Sequence, residues 1–181
     1  MQSHTFPNTV PRAVRRPQSN QPITLDATDL EILKILQNDG RISKSLLADM
    51  VGLSVSACLE RMRRLEKKKL VVSYHAHINV RMIARFDVIF AEVTLKSHRS
   101  HDFDRFERYI QTIDAVSECY ALGGGIDYLL KFVAADLEFY QKTIEGLLDA
   151  DIGIEKYFTY VCTKTVKCIN SIPMQAVLEI S

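Results

Sequence analysis

The most constraining feature of this chain is a run in which two short segments of helical apolar spacing are separated only by Gly52 and Leu53. Ser43 precedes the first segment and Ser54 precedes the second, and serine is a favoured cap for the free backbone N–H groups that begin a helix. Glycine directly after the last periodic residue is typical of a helix end. Two short helices joined by so tight a turn predict a helix-turn-helix.

A further helix is expected before this pair. From Asp26 onward, Leu30, Leu33 and Leu36 recur at helical spacing, and Gly40 follows as a plausible stop. Three helices in this order favour a winged-helix-like DNA-binding module over residues 23–71, with double-stranded DNA as its partner.

The third helix concentrates positive charge, because Leu53–Leu70 holds six basic residues and two acidic ones. At about 100° per residue, its apolar positions fall on one face and predict a core side: Val55, Cys58, Leu59, Met62 and Leu65. Small residues and then cations occupy the opposite face. A slim first turn can approach base edges, and guanidinium groups can bind phosphate or guanine. The predicted DNA-contacting residues are Ser54, Ser56, Ala57, Glu60, Arg61, Arg63 and Arg64. A merely solvated charged face is the alternative, which the helix-turn-helix frame disfavours.

Charge is distributed unevenly along the 181 residues. Through Arg81 there are 13 Lys and Arg against 7 Asp and Glu, whereas the remainder holds 10 against 15. This asymmetry predicts a basic module joined to an acidic one. Residues 1–22 contain four of the five prolines and are expected to form a disordered arm. Neither a membrane span nor a signal peptide is indicated, so a cytoplasmic location is expected.

The second half has the element order βαββαβ, which predicts a ferredoxin-like sheet with helices on one face, and hence an α+β protein overall. We expect a linker strand at 72–85, this domain at 86–170 and a C-terminal tail at 171–181. The final strand is expected to run from Lys156 to Val166. The uncovered sheet face favours a homodimer.

Motifs for chemistry are sparse, because the sequence has no P-loop, no nucleophile elbow and no zinc motif. An enzyme, a cofactor and a metal site are therefore not expected. The four cysteines form no CxxC pair and are expected to be reduced core thiols. His75 and His77 share a face of the linker, but the sequence offers no further metal ligands nearby with suitable spacing. The glycines at 123–125 could expose N–H groups to a carboxylate, although a plain hairpin turn is the favoured interpretation.

Three stretches in this order resemble the Lrp/AsnC family of transcription regulators: LDATDLEILKILQNDGRIS, LADMVGLSVSACLERMRRLE, and GGGIDYLLK followed by YFTYVCTKTVK. The resemblance covers about residues 25–170. It implies a helix-turn-helix, a strand linker and an effector domain that forms dimers and often octamers. It also implies that an amino acid or a related small molecule binds between effector domains. The effector residues that it implies are Gly123, Gly124, Asp127, Tyr160 and Val161.

Two alternatives to an effector-tuned regulator remain at this point. One is an architectural DNA-binding protein that responds to no ligand. The other is a metal or thiol sensor, which is disfavoured because Cys162 and Cys168 would lie about 20 Å apart on an extended strand.

A departure from the family concerns Lys69, which stands where the family usually has glycine. A left-handed backbone there would cost on the order of 1 kcal/mol.

Overall fold

A computed structural model describes residues 24–168 and 172–174. The described residues divide into two compact units. The first unit holds residues 24–78 together with the described residues from 167 onward, and the second holds residues 79–166. The predicted N-terminal arm and most of the predicted C-terminal tail lie outside the described residues.

Three helices form the first unit: α1 (Ala27–Asn38), α2 (Lys44–Met50) and α3 (Val55–Lys67). The predicted caps are confirmed. The hydroxyls of Ser43 and Ser54 each accept a backbone N–H bond from the first turn of the helix that follows. The helix-turn-helix pattern of the sequence is therefore present in the structure.

The core of the first unit lies between these helices. Its buried residues are Ile32, Leu36, Ile42, Leu47, Ala48, Cys58, Met62 and Leu65. The core side predicted for α3 is confirmed at Cys58, Met62 and Leu65, but Leu59 is half-buried and Val55 is 43% exposed. Each buried Leu or Ile stabilises the fold by roughly 1.5–3 kcal/mol, so the buried stripe holds α3 in place and leaves its other side to solvent.

Helices α2 and α3 end in the same way. In each case a residue in the left-handed region follows the cap: Gly52 at φ 67° and Lys69 at φ 57°. At the end of α3, the Leu70 N–H donates to the Leu65 carbonyl at 3.0 Å, the reach-back bond of a Schellman motif. Lys69 therefore adopts a conformation that glycine accommodates without the Cβ penalty.

The predicted linker strand at 72–85 is wrong. Residues 72–79 have no regular structure, and only a single 3₁₀ turn follows at Val80–Met82. A strand is stable only when its backbone N–H and C=O groups are paired, and no described strand pairs with this segment. Its apolar side chains Val72 and Ile78 are consequently exposed.

The second unit confirms the ferredoxin-like prediction. Its elements are β1 (Asp87–Leu95), α4 (Ser100–Ile110), β2 (Val116–Ala121), β3 (Tyr128–Ala134), α5 (Leu137–Asp149) and β4 (Ile154–Val161). The strands form one antiparallel sheet in the order β2-β3-β1-β4. The last strand ends at Val161, so the expected extension to Val166 is wrong.

The two faces of this sheet differ. One face packs on α4 and α5 through Ile89, Val93, Leu130 and Phe132 and their neighbours, which are fully buried. The register places the other set of side chains on the opposite face: Phe90, Glu92, Tyr120, Leu129, Lys131, Val133, Phe158 and Tyr160. Tyr120, Phe158 and Tyr160 are each about half exposed. The face without helices is therefore rich in aromatic side chains.

Of the four cysteines, only Cys58 is a core thiol. Cys162 is half-buried and Cys119 and Cys168 are exposed, so the core prediction is wrong for these three. Their positions on or after edge strands explain the difference.

In the described ranges, no set of three or more His, Cys, Asp and Glu could hold a metal ion. No described helix is both long and apolar enough to cross a membrane.

Candidate DNA-binding face and effector loop

The outward side of α3 carries a stripe that we call the outer stripe: Ser56, Glu60, Arg63 and Lys67. Their spacing of four, three and four residues places them above one another on one face, opposite the buried Cys58, Met62 and Leu65. All four are exposed. Within the described part of the chain, Glu60, Arg63 and Lys67 have no side-chain hydrogen bond or ion pair. The outer stripe therefore presents unneutralised charge to solvent.

Arg61 and Arg64 lie on the flank of α3 that faces α1. The Arg61 guanidinium donates to both Asp26 and Asp29, with Nη1 at 2.9 Å from the Asp29 Oδ1. The Arg64 Nη2 donates to the same Asp29 Oδ1 at 2.7 Å. These two arginines thus tie the third helix to the first one.

The carboxylate that receives them is buried, because the Asp29 side chain is only 1% exposed. Asp26 and Asp29 also form a capping box, in which the Asp29 N–H donates to the Asp26 carboxylate at 2.8 Å. The Arg61 hydrogen bond is the main cause that lowers the pKa of Asp26, and the same bond raises the pKa of Arg61. Both groups are therefore held in their charged forms.

The structure separates the seven predicted DNA-contacting residues into three groups. Ser56, Glu60 and Arg63 lie on the outer stripe, while Ser54 caps the helix start and Ala57 is half-buried. Arg61 and Arg64 form the ion pairs just described. Lys67 completes the outer stripe but was absent from the predicted set, although its four-residue spacing from Arg63 indicates the position.

The glycine loop connects β2 to β3. Gly124 has φ 153°, which a residue with a side chain rarely adopts. No heavy atom lies within 4 Å of the position that a Cβ would take at Gly123, Gly124 or Gly125, apart from their own neighbours in the chain. The loop is therefore open to solvent, with room for a ligand to approach its backbone.

Asp127 anchors the end of this loop. Its Oδ2 accepts the Leu95 N–H at 2.7 Å and lies 3.1 Å from the His98 Nε2. His98 in turn stacks on Phe103, with ring centroids 5.9 Å apart. Because its side chain is 17% exposed and already has these partners, Asp127 fixes the loop against the end of β1.

A pocket of about 380 Å³ opens beside Asp127, between α4 and the start of β3. Its lining residues are Ser100, Phe103, Asp104, Glu107, Ala121, Leu122, Asp127 and Tyr128. The Tyr128 hydroxyl donates to Glu107 at 3.0 Å, and burial is the main cause that raises the pKa of Tyr128. Three carboxylates and no basic side chain line the pocket, so it favours a ligand that presents an ammonium or another donor group.

Tyr160 and Val161 lie away from the glycine loop. In the sheet register Tyr128 pairs with Val93, whereas Tyr160 pairs with Phe90 on the other side of β1. Three residues along a strand correspond to about 10 Å, and two strand spacings add nearly as much across the sheet. One copy of the chain therefore does not bring all five predicted effector residues together.

Two family models match the chain in the order of its two units. Residues 25–72 match a family described as winged helix-turn-helix DNA-binding, and residues 88–172 match one described as the Lrp/AsnC ligand binding domain. The transcriptional regulatory protein DoeX of Halomonas elongata is 48% identical over 143 residues, covering 79% of this chain and 90% of that protein. The leucine-responsive regulatory protein of Escherichia coli is 37% identical over 146 residues, covering 81% and 89%.

This chain belongs to the Lrp/AsnC family of transcription regulators.

Solved structures agree with this Lrp/AsnC assignment. An AsnC family regulator from Agrobacterium tumefaciens has a TM-score of 0.78 at 26% identity, covering 84% of this chain and 99% of that one. A regulator from Neisseria meningitidis, solved as an L-Met complex, has a TM-score of 0.78 at 28% identity, covering 85% and 99%. The chain is a DNA-binding regulator with a ligand-binding domain, and its relatives confirm the expectation that it is not an enzyme.

Proposed function

We propose that this Lrp/AsnC regulator binds double-stranded DNA sequence-specifically by placing α3 in the major groove. The observation that carries the proposal is the outer stripe, whose charged side chains are exposed and unpaired in the described residues. The second helix of a helix-turn-helix, which is α3 here, reads bases with its N-terminal half, while cations farther along it bind phosphate. Ser56 and Glu60 suit the first role, and Arg63 and Lys67 suit the second.

The remaining predicted residues act around this stripe. Ser54 and Ala57 form the slim first turn that lets α3 approach the groove, and Ser54 caps it. Arg61 and Arg64 support DNA binding by fixing α3 on α1 through Asp29. The proposed location of the protein is the cytoplasm, where a transcription regulator meets chromosomal DNA.

The proposed effector is an amino acid or a related small molecule. The ligand-binding family match and the L-Met complex of the Neisseria regulator support this class. Gly123 and Gly124 offer backbone N–H groups to a carboxylate, and the acidic pocket beside them suits an ammonium group. Asp127 holds the loop in position through Leu95.

The proposed assembly is a homodimer, with higher oligomers such as an octamer built from it. Half-exposed aromatic residues on the open sheet face support self-association, since burying them removes apolar surface from water. Because Tyr160 and Val161 lie away from the glycine loop within one chain, a site that combines all five predicted effector residues requires a second copy. A symmetric dimer places two recognition helices on half-sites about 34–36 Å apart.

Calorimetric titration of the twenty amino acids into the full-length protein tests the effector proposal. We expect one or a few to bind, and Asp127→Ala to weaken that binding roughly ten- to a thousandfold because the loop loses its anchor. Asp114→Ala, which removes an exposed carboxylate elsewhere on the same unit, serves as the control. Equal affinity in wild type and Asp127→Ala would remove Asp127 from the effector response.

The alternative is a ligand-independent architectural DNA-binding protein. Its support is the Asp127 carboxylate, which already has the Leu95 N–H and His98 as partners without a ligand. If no amino acid binds the wild type and no sequence is preferred over random DNA, the architectural function replaces the proposed one.

A further inference from the structure

Glu60 is an acidic residue in the middle of a surface proposed to meet a polyanion. It lies on the outer stripe between Ser56 and Arg63 and is exposed. A carboxylate at this place repels phosphate, which lowers the affinity of α3 for DNA of any sequence. Its position therefore calls for a favourable contact that depends on the base sequence.

The Glu60 carboxylate has no partner among the described residues. Arg63 and Arg64 follow at the i+3 and i+4 positions, where an ion pair with a glutamate commonly forms on a helix. Neither arginine pairs with Glu60. Arg64 is bound to Asp29 instead, and Arg63 has no partner among the described residues. The Asp29 contacts thus withhold from Glu60 a cation that would neutralise it.

The chemistry of the groove limits what Glu60 can bind. An ionised carboxylate only accepts hydrogen bonds, and the exocyclic amino groups of cytosine and adenine are the only base donors in the major groove. The cytosine N4 amino group is the usual partner of a glutamate, since the adenine donor lies beside an acceptor that suits an amide better. Thymine O4 and the guanine acceptors would repel it.

We infer that Glu60 selects cytosine at one position of each half-site, an inference that rests on the proposed docking of α3 in the major groove. Arg63 lies three residues farther along, about 4.5 Å on the helix axis, compared with about 3.4 Å between base pairs. Arg63 therefore lies beside the neighbouring base pair when Glu60 meets its cytosine, and there it binds the backbone phosphate.

The test is selection from a library of random duplexes with the full-length protein, followed by sequencing and by anisotropy titrations of single-base variants. Wild type should enrich cytosine at one position per half-site, and changing it to thymine should weaken binding on the order of tenfold. Glu60→Gln should shift that position toward adenine, because an amide donates and accepts in the pattern that adenine presents. Glu60→Ala should lose the preference.

Glu31→Gln is the matched control, because it removes the same charge from an exposed glutamate of α1 whose ion pair in the described part of the chain is with Lys34. It should enrich the wild-type sequence. An unchanged base preference in Glu60→Gln would overturn the inference, as would tighter binding to every duplex without a change in preference. If wild type enriches no sequence at all, the proposed specific regulator fails together with the inference, whereas an unchanged preference overturns the inference alone.

Discussion

The two sides of α3 carry similar charges in different surroundings. On the flank toward α1, Arg61 and Arg64 are bound to a buried aspartate. On the outer stripe, Arg63 and Lys67 have no partner among the described residues. The comparison shows that the number of cations on a helix does not measure its capacity for DNA, since a neutralised cation must give up its partner before it binds phosphate.

The same contrast explains how the helix stays in place while it presents charge. The arginines of the flank use the buried Asp29 to fix the angle between α1 and α3, and the buried stripe of α3 completes that attachment. The residues of the outer stripe take no part in it. Substitutions on the flank should therefore act mainly on stability, and substitutions on the stripe mainly on DNA binding.

The largest expected effect follows from Asp29→Asn, which preserves shape and capping but removes the charge that holds both arginines. We expect the first unit to lose about 2 kcal/mol, because hydrogen bonds to charged groups contribute roughly 1.5–3 kcal/mol each and the released arginines regain some hydration. Hydrogen exchange of the α1 and α3 amides measures the loss. The control Glu31→Gln should change little, and equal protection in both variants would show that the flank is not held by Asp29.

The next effect concerns DNA affinity. Arg63→Ala should weaken binding about tenfold and reduce the slope of log affinity against log salt by about one per subunit, because one cation stops displacing counterions. Arg61→Ala should alter the slope less and hydrogen exchange more. Salt titrations by fluorescence anisotropy compare the two variants directly. A larger loss of slope in Arg61→Ala than in Arg63→Ala would reverse the assignment of the two sides.

Lys69 is a third kind of cation in the first unit, because the feature that matters for stability is its left-handed backbone and not its charge. Its φ of 57° predicts that Lys69→Gly stabilises the first unit by about 1 kcal/mol while leaving the slope of the salt titration nearly unchanged. Lys68 has φ −76°, so Lys68→Gly should be destabilising instead. Urea unfolding followed by circular dichroism separates the two, and a loss of stability in Lys69→Gly would contradict the left-handed turn.

The smallest expected effect is the pH dependence of the exposed pair Asp26 and Arg61. Because the folded-state pKa of Asp26 lies below its ordinary value of 3.8, the pair stabilises the fold above about pH 4 and this contribution is lost as the pH falls through the lowered pKa. Asp26→Asn still caps α1, so it should be slightly less stable than wild type at neutral pH and equal to it in acid. Unfolding experiments at both pH values measure the difference in free energy of unfolding between wild type and Asp26→Asn. A difference that grows in acid would be inconsistent with the pair.

Local signals made much of the fold predictable. Ser43, Gly52 and Ser54 mark helix boundaries through bonds within a few residues, and the βαββαβ order follows from apolar periodicity in the same way. The prediction of a linker strand failed because local chemistry does not show whether a strand has a partner, which is distant in sequence or in another molecule. Val72 has strand-like chemistry, but none of the strands that the structure describes pairs with it.

The candidate site shows the same limit. The contacts of Arg61 and Arg64 join positions 32 and 35 residues apart, which no local pattern reveals. One signal was present, since Asp29 lies on the buried stripe of α1 with Ile32 and Leu36 and a buried acid requires a partner. For the effector residues, the separation of Asp127 from Tyr160 depends on the sheet register, which a list of strands does not determine.

The central claim, that the outer stripe meets DNA and the flank does not, is tested most directly by arginine labelling. Full-length protein is treated with phenylglyoxal, free and bound to a selected duplex, and modification of each arginine is measured by mass spectrometry. We predict that Arg63 reacts readily in the free protein and is protected on DNA, whereas Arg61 reacts slowly in both states. Unprotected Arg63 together with DNA-dependent protection of Arg61 would contradict the account.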